Sequence, residues 1–168
     1  MYFFNVLLPL ALLASPIFAT PIDLETRAGE TVRCRATDTT KAKHTSKTWT
    51  VSVDEAKQLV QKAGVKGADK TGYPHAYRNG EKLEWDPAAC KKTNVDLLEY
   101  PIFWQGTKQI KSDTKINGQA HTPIRVVYAN AGGTPVYCGI MVHTQVKQKP
   151  DIDKKQSWEG DEGFSKCT

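Results

Sequence analysis

Residues 97–104 (LLEYPIFW), 123–129 (PIRVVYA) and 135–144 (PVYCGIMVHT) decide the fold. All three are rich in β-branched and aromatic residues and bounded by Gly, Pro, Asn or Asp, which marks them as strands. Successive side chains of a strand point to opposite faces. Read with that period, one face gathers Leu98, Tyr100 and Ile102, then Ile124, Val126 and Tyr128, then Cys138, Ile140 and Val142. The other face carries Glu99, then Arg125 and Val127, then Met141 and His143. A slip of one residue would turn every charge into the apolar side, so the pattern fixes the register. Tyr73, His75 and Tyr77 in residues 72–77 (GYPHAY) form a matching set on a preceding strand.

An apolar face needs a cover, and the sequence supplies one helix. Ser52-Val-Asp-Glu55 is a capping box; Val53, Ala56, Leu59, Val60 and Ala63 then recur at helical spacing, and Gly64 follows as a terminating residue. Upstream, residues 35–51 are polar and Thr/Lys-rich and suit an exposed N-terminal hairpin ending in a strand at 48–51, with His44 as a surface histidine. The expected fold is α+β: one helix packed on a central antiparallel sheet, with long basic loops and two disulfides. Residues 107–122 (TKQIKSDTKINGQAHT) form a loop bearing Lys108, Lys111 and Lys115 with almost nothing to bury; loops of this length are usually functional. Residues 147–155 are also basic, before the chain turns acidic at Glu159, Asp161 and Glu162.

Charges inside strands are costly unless paired or used. Singly, each has an ordinary explanation: Glu99 and Arg125 as a cross-strand ion pair, His143 as a hydrogen-bonded core residue, His75 as a turn residue after Pro74. Together on one face they form a set suited to phosphodiester transesterification. Glu99 would take the 2′-OH proton, His143 would protonate the leaving 5′-oxygen, Arg125 would neutralise the phosphorane, and His75 would donate to it or share the base role. This chemistry needs no cofactor, and no CxxC or HxxxH spacing suggests a metal site.

Residues 1–19 read as a signal peptide, an apolar run ending at the small Ala19 and too short and proline-broken to span a bilayer. Residues 20–27 read as a short pro-segment or as a tail of the mature chain, and residues 28–168 as one domain. The four cysteines, Cys34, Cys90, Cys138 and Cys167, form two disulfides in a secreted domain, with three connectivities open. The full chain carries 23 Lys and Arg against 18 Asp and Glu; removing residues 1–27 takes away Arg27, Asp23 and Glu25 and leaves a net charge of +6. Such a balance suits nucleic acid, an anionic membrane or a polyanionic wall, and serves solubility equally well.

The motifs GYPHAY, LLEYPIF, PIRVVYAN and YCGIMVHT, with a terminal GFSKCT, resemble the microbial guanyl-specific ribonuclease superfamily, and within it the short, insect-directed type of fungal ribotoxin. The resemblance spans essentially the whole domain. It implies Glu99 as base, His143 as acid, His75 as the second histidine and Arg125 as the arginine. Phe164 matches a phenylalanine near the scissile phosphate. Tyr73 matches the cleft tyrosine of larger ribotoxins and simple ribonucleases, where a short member has an aspartate. The resemblance implies the pairs Cys34–Cys167 and Cys90–Cys138. Residues 77–81 occupy the base-binding loop, with Tyr77 to stack on a base, backbone N–H groups near Asn79 to meet guanine O6, and Glu81 to accept from N1–H and N2–H. Gly80 stands where simple members have a second stacking tyrosine.

The function this implies is cleavage of one bond in the sarcin–ricin loop of ribosomal RNA in intact ribosomes, by a secreted monomer acting in the cytosol of target cells. The lysines of the long loop would steer it there, and anionic membrane would be a surface met on the way in. A non-selective extracellular guanyl ribonuclease, or a catalytically idle binding protein on the same scaffold, are the alternatives.

Overall fold

The protein is described here by a computed structural model, covering residues 29–168 apart from 93, 151–152 and 154–155. The signal-peptide and pro-segment readings at residues 1–27 lie outside the described residues. In chain order the elements are β1 (Thr31–Ala36), β2 (Lys47–Ser52), α1 (Val53–Ala63), β3 (His75–Ala76), α2 (Ala88–Lys91), β4 (Leu97–Pro101), β5 (Ile124–Ala131), β6 (Thr134–His143), β7 (Val146–Gln148), β8 (Trp158–Gly160) and β9 (Phe164–Lys166). The three quoted runs are the centre of a five-stranded antiparallel sheet ordered β3-β4-β5-β6-β9, flanked by the two-stranded pairs β1-β2 and β7-β8.

Helix α1 begins as its sequence dictates: the Ser52 hydroxyl accepts from Glu55 N at 3.2 Å. It ends at Gly64, whose φ of 65° is left-handed. Ala56 and Val60 are buried in one core cluster with Tyr100, Ile102, Ile124, Val126, Tyr128, Ile140 and Val142. The Tyr128 hydroxyl donates to Gly64 O at 2.9 Å, which pins the end of the helix to the sheet. Disulfide Cys34–Cys167 fastens β1 to the end of β9, across 133 residues, and in the chain-entropy model such a closure contributes about 5 kcal/mol.

Four expectations need correction. Cys138 does not sit on the helix-facing row. The pairing of β5 with β6 shifts between Val127 and Tyr128, so Tyr137 and not Cys138 stands opposite Tyr128. This bulge turns Cys138 into a second cluster with Tyr77, Trp85, Cys90, Val127, Ala129 and Met141, where it bonds Cys90. The strand at 73–77 shrinks to His75–Ala76, because Pro74 has no N–H for the ladder; Tyr73 enters the main core and Tyr77 the second cluster.

Residues 107–122 are anchored. Ile110 is buried, Ile116 packs on the core, and Gln119 bridges Lys111 and Thr114 through three contacts of 2.8 Å. Lys108, Lys111 and Lys115 all remain exposed. His44 is the fourth correction: its side chain is 3% exposed and its Nε2 lies 2.7 Å from Asp161 Oδ2.

Candidate active site

On the sheet face opposite α1, the ladder sets His75 against Glu99, Glu99 against Val127, Arg125 between Pro101 and Met141, and His143 against Phe164. Charged and imidazole groups from β3, β4, β5 and β6 thus share one surface. Glu99 Oε1 lies 3.9 Å from both His75 Nδ1 and Arg125 Nε. These are ion-pair distances beyond hydrogen-bond range, so the Glu99 oxygens are not tied up by either neighbour.

Arg125 is held from below. Its Nη1 donates to Thr122 O at 2.6 Å and to Ile124 O at 3.0 Å, and its guanidinium lies 5.5 Å over the Tyr73 ring. Thr122 is itself fixed, its hydroxyl donating to Ile102 O at 2.8 Å. Arg125 Nε is buried with no hydrogen-bond partner. Its nearest acidic oxygen is Glu99 Oε1 at 3.9 Å, so the guanidinium charge is spent on the Glu99 carboxylate through space rather than through a hydrogen bond. Tyr73 also stacks on His75 with ring centroids 3.9 Å apart and a 21° interplanar angle.

Burial pushes the Glu99 carboxyl above its ordinary range, Arg125 pulls it down, and Glu81 adds a further upward push. The net effect is a stronger base than a surface glutamate. His143 is driven down to about 4, chiefly by burial and then by Arg125; main-chain oxygens at Asp161 and Gly163 and the Asp161 charge act in the opposite sense. Its Nδ1 closes no hydrogen bond. The ring is pressed at 4.0 Å against Phe164. His75, about half exposed, is lowered by partial burial and by Arg125.

The base-binding expectation changes. Tyr77 is buried, edge-on to Trp85 and Phe164, and its hydroxyl donates to Asn79 Oδ1 at 2.9 Å, so it offers no free face for stacking. Asn79 spends its side chain inside the turn, accepting from Leu83 N at 2.7 Å and donating to Leu83 O at 2.9 Å. Both residues shape the loop from within. Glu81 stays exposed and within electrostatic reach of Glu99 and the Tyr77 hydroxyl.

The sequence pattern also missed a residue. His121 lines a hollow of about 280 Å³ with Tyr73, His75, Ile116, Thr122 and Arg125. It lies outside any strand, so no periodicity marked it.

A ribonuclease family profile matches residues 32–151. No curated protein sequence matches the chain. Among solved structures, the chain is similar to hirsutellin A from Hirsutella thompsonii, at 35% identity over 82% of this chain and 98% of that one, with a TM-score of 0.63. It shares the fold of restrictocin, solved in complex with a 29-mer sarcin/ricin domain RNA analogue, at 22% identity over 83% of this chain and 99% of that one (TM-score 0.57). It likewise shares the fold of the cytotoxic ribonuclease alpha-sarcin, at 22% identity over 83% of this chain and 99% of that one (TM-score 0.56). The chain therefore belongs to the ribonuclease family, in its fungal ribotoxin branch, and is an endoribonuclease.

Proposed function

We propose that this endoribonuclease is a secreted ribotoxin that cuts a single bond in the sarcin–ricin loop of large-subunit ribosomal RNA and so halts translation. The observation that carries the chemistry is the placement of Glu99 3.9 Å from both His75 and Arg125, on the sheet face shared with His143. Glu99 abstracts the 2′-OH proton, and the oxygen attacks the phosphorus. Arg125, held over Tyr73 and beside Glu99, binds the non-bridging oxygens as charge develops. His143 donates a proton to the departing 5′-oxygen, leaving a 2′,3′-cyclic phosphate, and Phe164 holds its ring. His75, steadied by Tyr73, donates to the phosphorane or shares the base role.

Support for the ribosomal target comes from the ribotoxin branch of the chain and from the fold shared with restrictocin, whose structure holds a sarcin/ricin RNA analogue. The exposed Lys108, Lys111 and Lys115 add an attractive field for RNA. Glu81 is the remaining side-chain candidate for guanine. Secretion rests on the residue 1–19 pattern and the two disulfides.

The decisive experiment incubates intact ribosomes with the protein and with Glu99→Gln. One discrete rRNA fragment is expected from the unmodified protein, and a rate about 10²–10⁴ times lower from the variant. General degradation would favour a non-selective ribonuclease, and uncut RNA from folded protein would refute the enzymatic mechanism.

A further inference from the structure

The general acid proposed above is packed against a short segment that the sequence left unassigned. Residues 160–163 run beside His143. A Cβ built at Gly160 would fall 2.5 Å from His143 Cβ and closer still to ring atoms Cγ and Cδ2, so only a glycine lets the segment lie flush on the imidazole. Gly163 has a φ of 74°, and its carbonyl accepts from Thr144 N at 3.1 Å, which ties the segment to the end of the His143 strand.

What holds the segment there is Asp161. Its main-chain N–H donates to Gln145 O at 2.9 Å. Its carboxylate receives two partners from different parts of the chain: His44 Nε2 at 2.7 Å and Lys147 Nζ at 3.3 Å. The carboxylate only accepts, so Nε2 of His44 carries the proton between them. His44 comes from the β1–β2 connection, more than a hundred residues away in sequence, and its side chain is 3% exposed. The same connection is braced nearby, with Asp38 N donating to Thr144 O at 3.0 Å and Gln145 Nε2 donating to Asp38 Oδ2 at 2.7 Å. A nearly buried imidazole committed to one carboxylate is more than a solvated surface contact.

We propose that Asp161, clamped by His44, is a positioning residue for His143: it seats the 160–163 segment against the imidazole. This rests on the assignment of His143 as general acid. The charges acting on His143 are Arg125 from β5 and Asp161 from the clamped segment, with opposite effects on the ring. Burial and Arg125 both disfavour the imidazolium, so Asp161 is the opposing charge. Lys147, also paired with Glu159 at 3.6 Å, shares the Asp161 carboxylate and tempers it. The N-terminal hairpin thereby reaches the chemistry through the His44–Asp161 contact.

The test compares the unmodified protein, D161N, H44A, H44Q and the double variant H44A/D161N. Readouts are the His143 pKa from NMR titration of its ring protons, and the pH profile of kcat and KM on a guanylyl dinucleotide. In D161N the His143 pKa and the acidic limb of kcat, which the lower of the two titrating groups sets, are expected to move to lower pH together, with kcat down about ten-fold and KM within about two-fold. H44A should lose activity to a similar degree, and H44Q, whose amide still donates to Asp161, should recover most of it. The double variant should be no worse than D161N, because both changes break one contact. An unmoved His143 pKa and acidic limb in folded D161N would overturn the proposal, as would fully additive losses. Should D161N fail to fold, the same titration of H44A decides. If the unmodified protein cleaves nothing, the catalytic assignment fails, while the titration still reports on the clamp.

Discussion

Substituting Gly160 by alanine tests the acid's seat without touching any titratable group. Gly160 does not have a left-handed φ, so its backbone accepts alanine, and the effect isolates the clash. The added Cβ would lie 2.5 Å from His143 Cβ, whereas carbon atoms rest at about 3.5–4.0 Å, so the imidazole or the segment must retreat by about 1 Å. Phe164 at 4.0 Å on the ring leaves it little slack. A displacement of that size in a proton donor costs about 100-fold in kcat, or about 2.7 kcal/mol in the barrier. Overpacking should also cost about 1–3 kcal/mol of stability. Gly64→Ala provides the control. Nothing lies within 4 Å of a Cβ there, but φ is 65°, so it should lose about 1 kcal/mol of stability and keep full cleavage. Single-turnover cleavage of a guanylyl dinucleotide and urea denaturation measure both. A Gly160→Ala protein that cleaves within about three-fold of the unmodified rate would refute the reasoning.

Three other outcomes are expected. Activity requires ionised Glu99, whose pKa is raised by burial, together with protonated His143, whose pKa is lowered to about 4. The profile on a dinucleotide should therefore be a bell with its optimum in mildly acidic solution; a maximum at neutral or alkaline pH would contradict it. His143 also links stability to pH. Between 6.5 and about 4 the unfolded chain binds the proton and the folded one resists it, so stability falls as the pH drops, by up to about 3 kcal/mol. Urea titrations of His143→Gln should show a shallower loss across that window than the unmodified protein, and parallel curves would argue against a buried neutral imidazole. Replacing Lys108, Lys111 and Lys115 with alanine should leave dinucleotide cleavage intact and flatten the salt dependence on ribosomes, by about 0.7–0.9 in log–log slope per lost phosphate contact. An unchanged slope would remove the loop from the ribosome contact.

The sheet, its register and the facing of Glu99, Arg125 and His143 were legible because a two-residue period leaves little freedom once charges must avoid the helix side. The helix was legible for a similar local reason, its capping box and glycine stop. What escaped were features fixed by distant partners. A bulge is invisible in composition, so Cys138 was assigned the wrong face. Tyr77 looked like a stacking platform because aromatic rings serve equally in clefts and cores; only the meeting of Trp85 and Phe164 decides which. His44 sits in a polar run with no apolar neighbour to suggest burial, and its partner lies 117 residues on. Gly160 and His121 carried no periodic signal.

The bulge in β6 has an engineering consequence. By turning Cys138 out of the helix-facing row, it lets one strand bear a covalent anchor on the cleft side while its other side keeps an unbroken apolar surface for α1. Tyr77, Trp85 and Cys90 cluster at that anchor, with Trp85 packed against Gly139, where an added Cβ would fall 2.7 Å from the indole. The molecule is in effect a chassis and a cartridge. Exchanging the cartridge at the Cys90–Cys138 mounting is expected to leave the packing beneath the helix unchanged, which the melting curve of such a chimera would check.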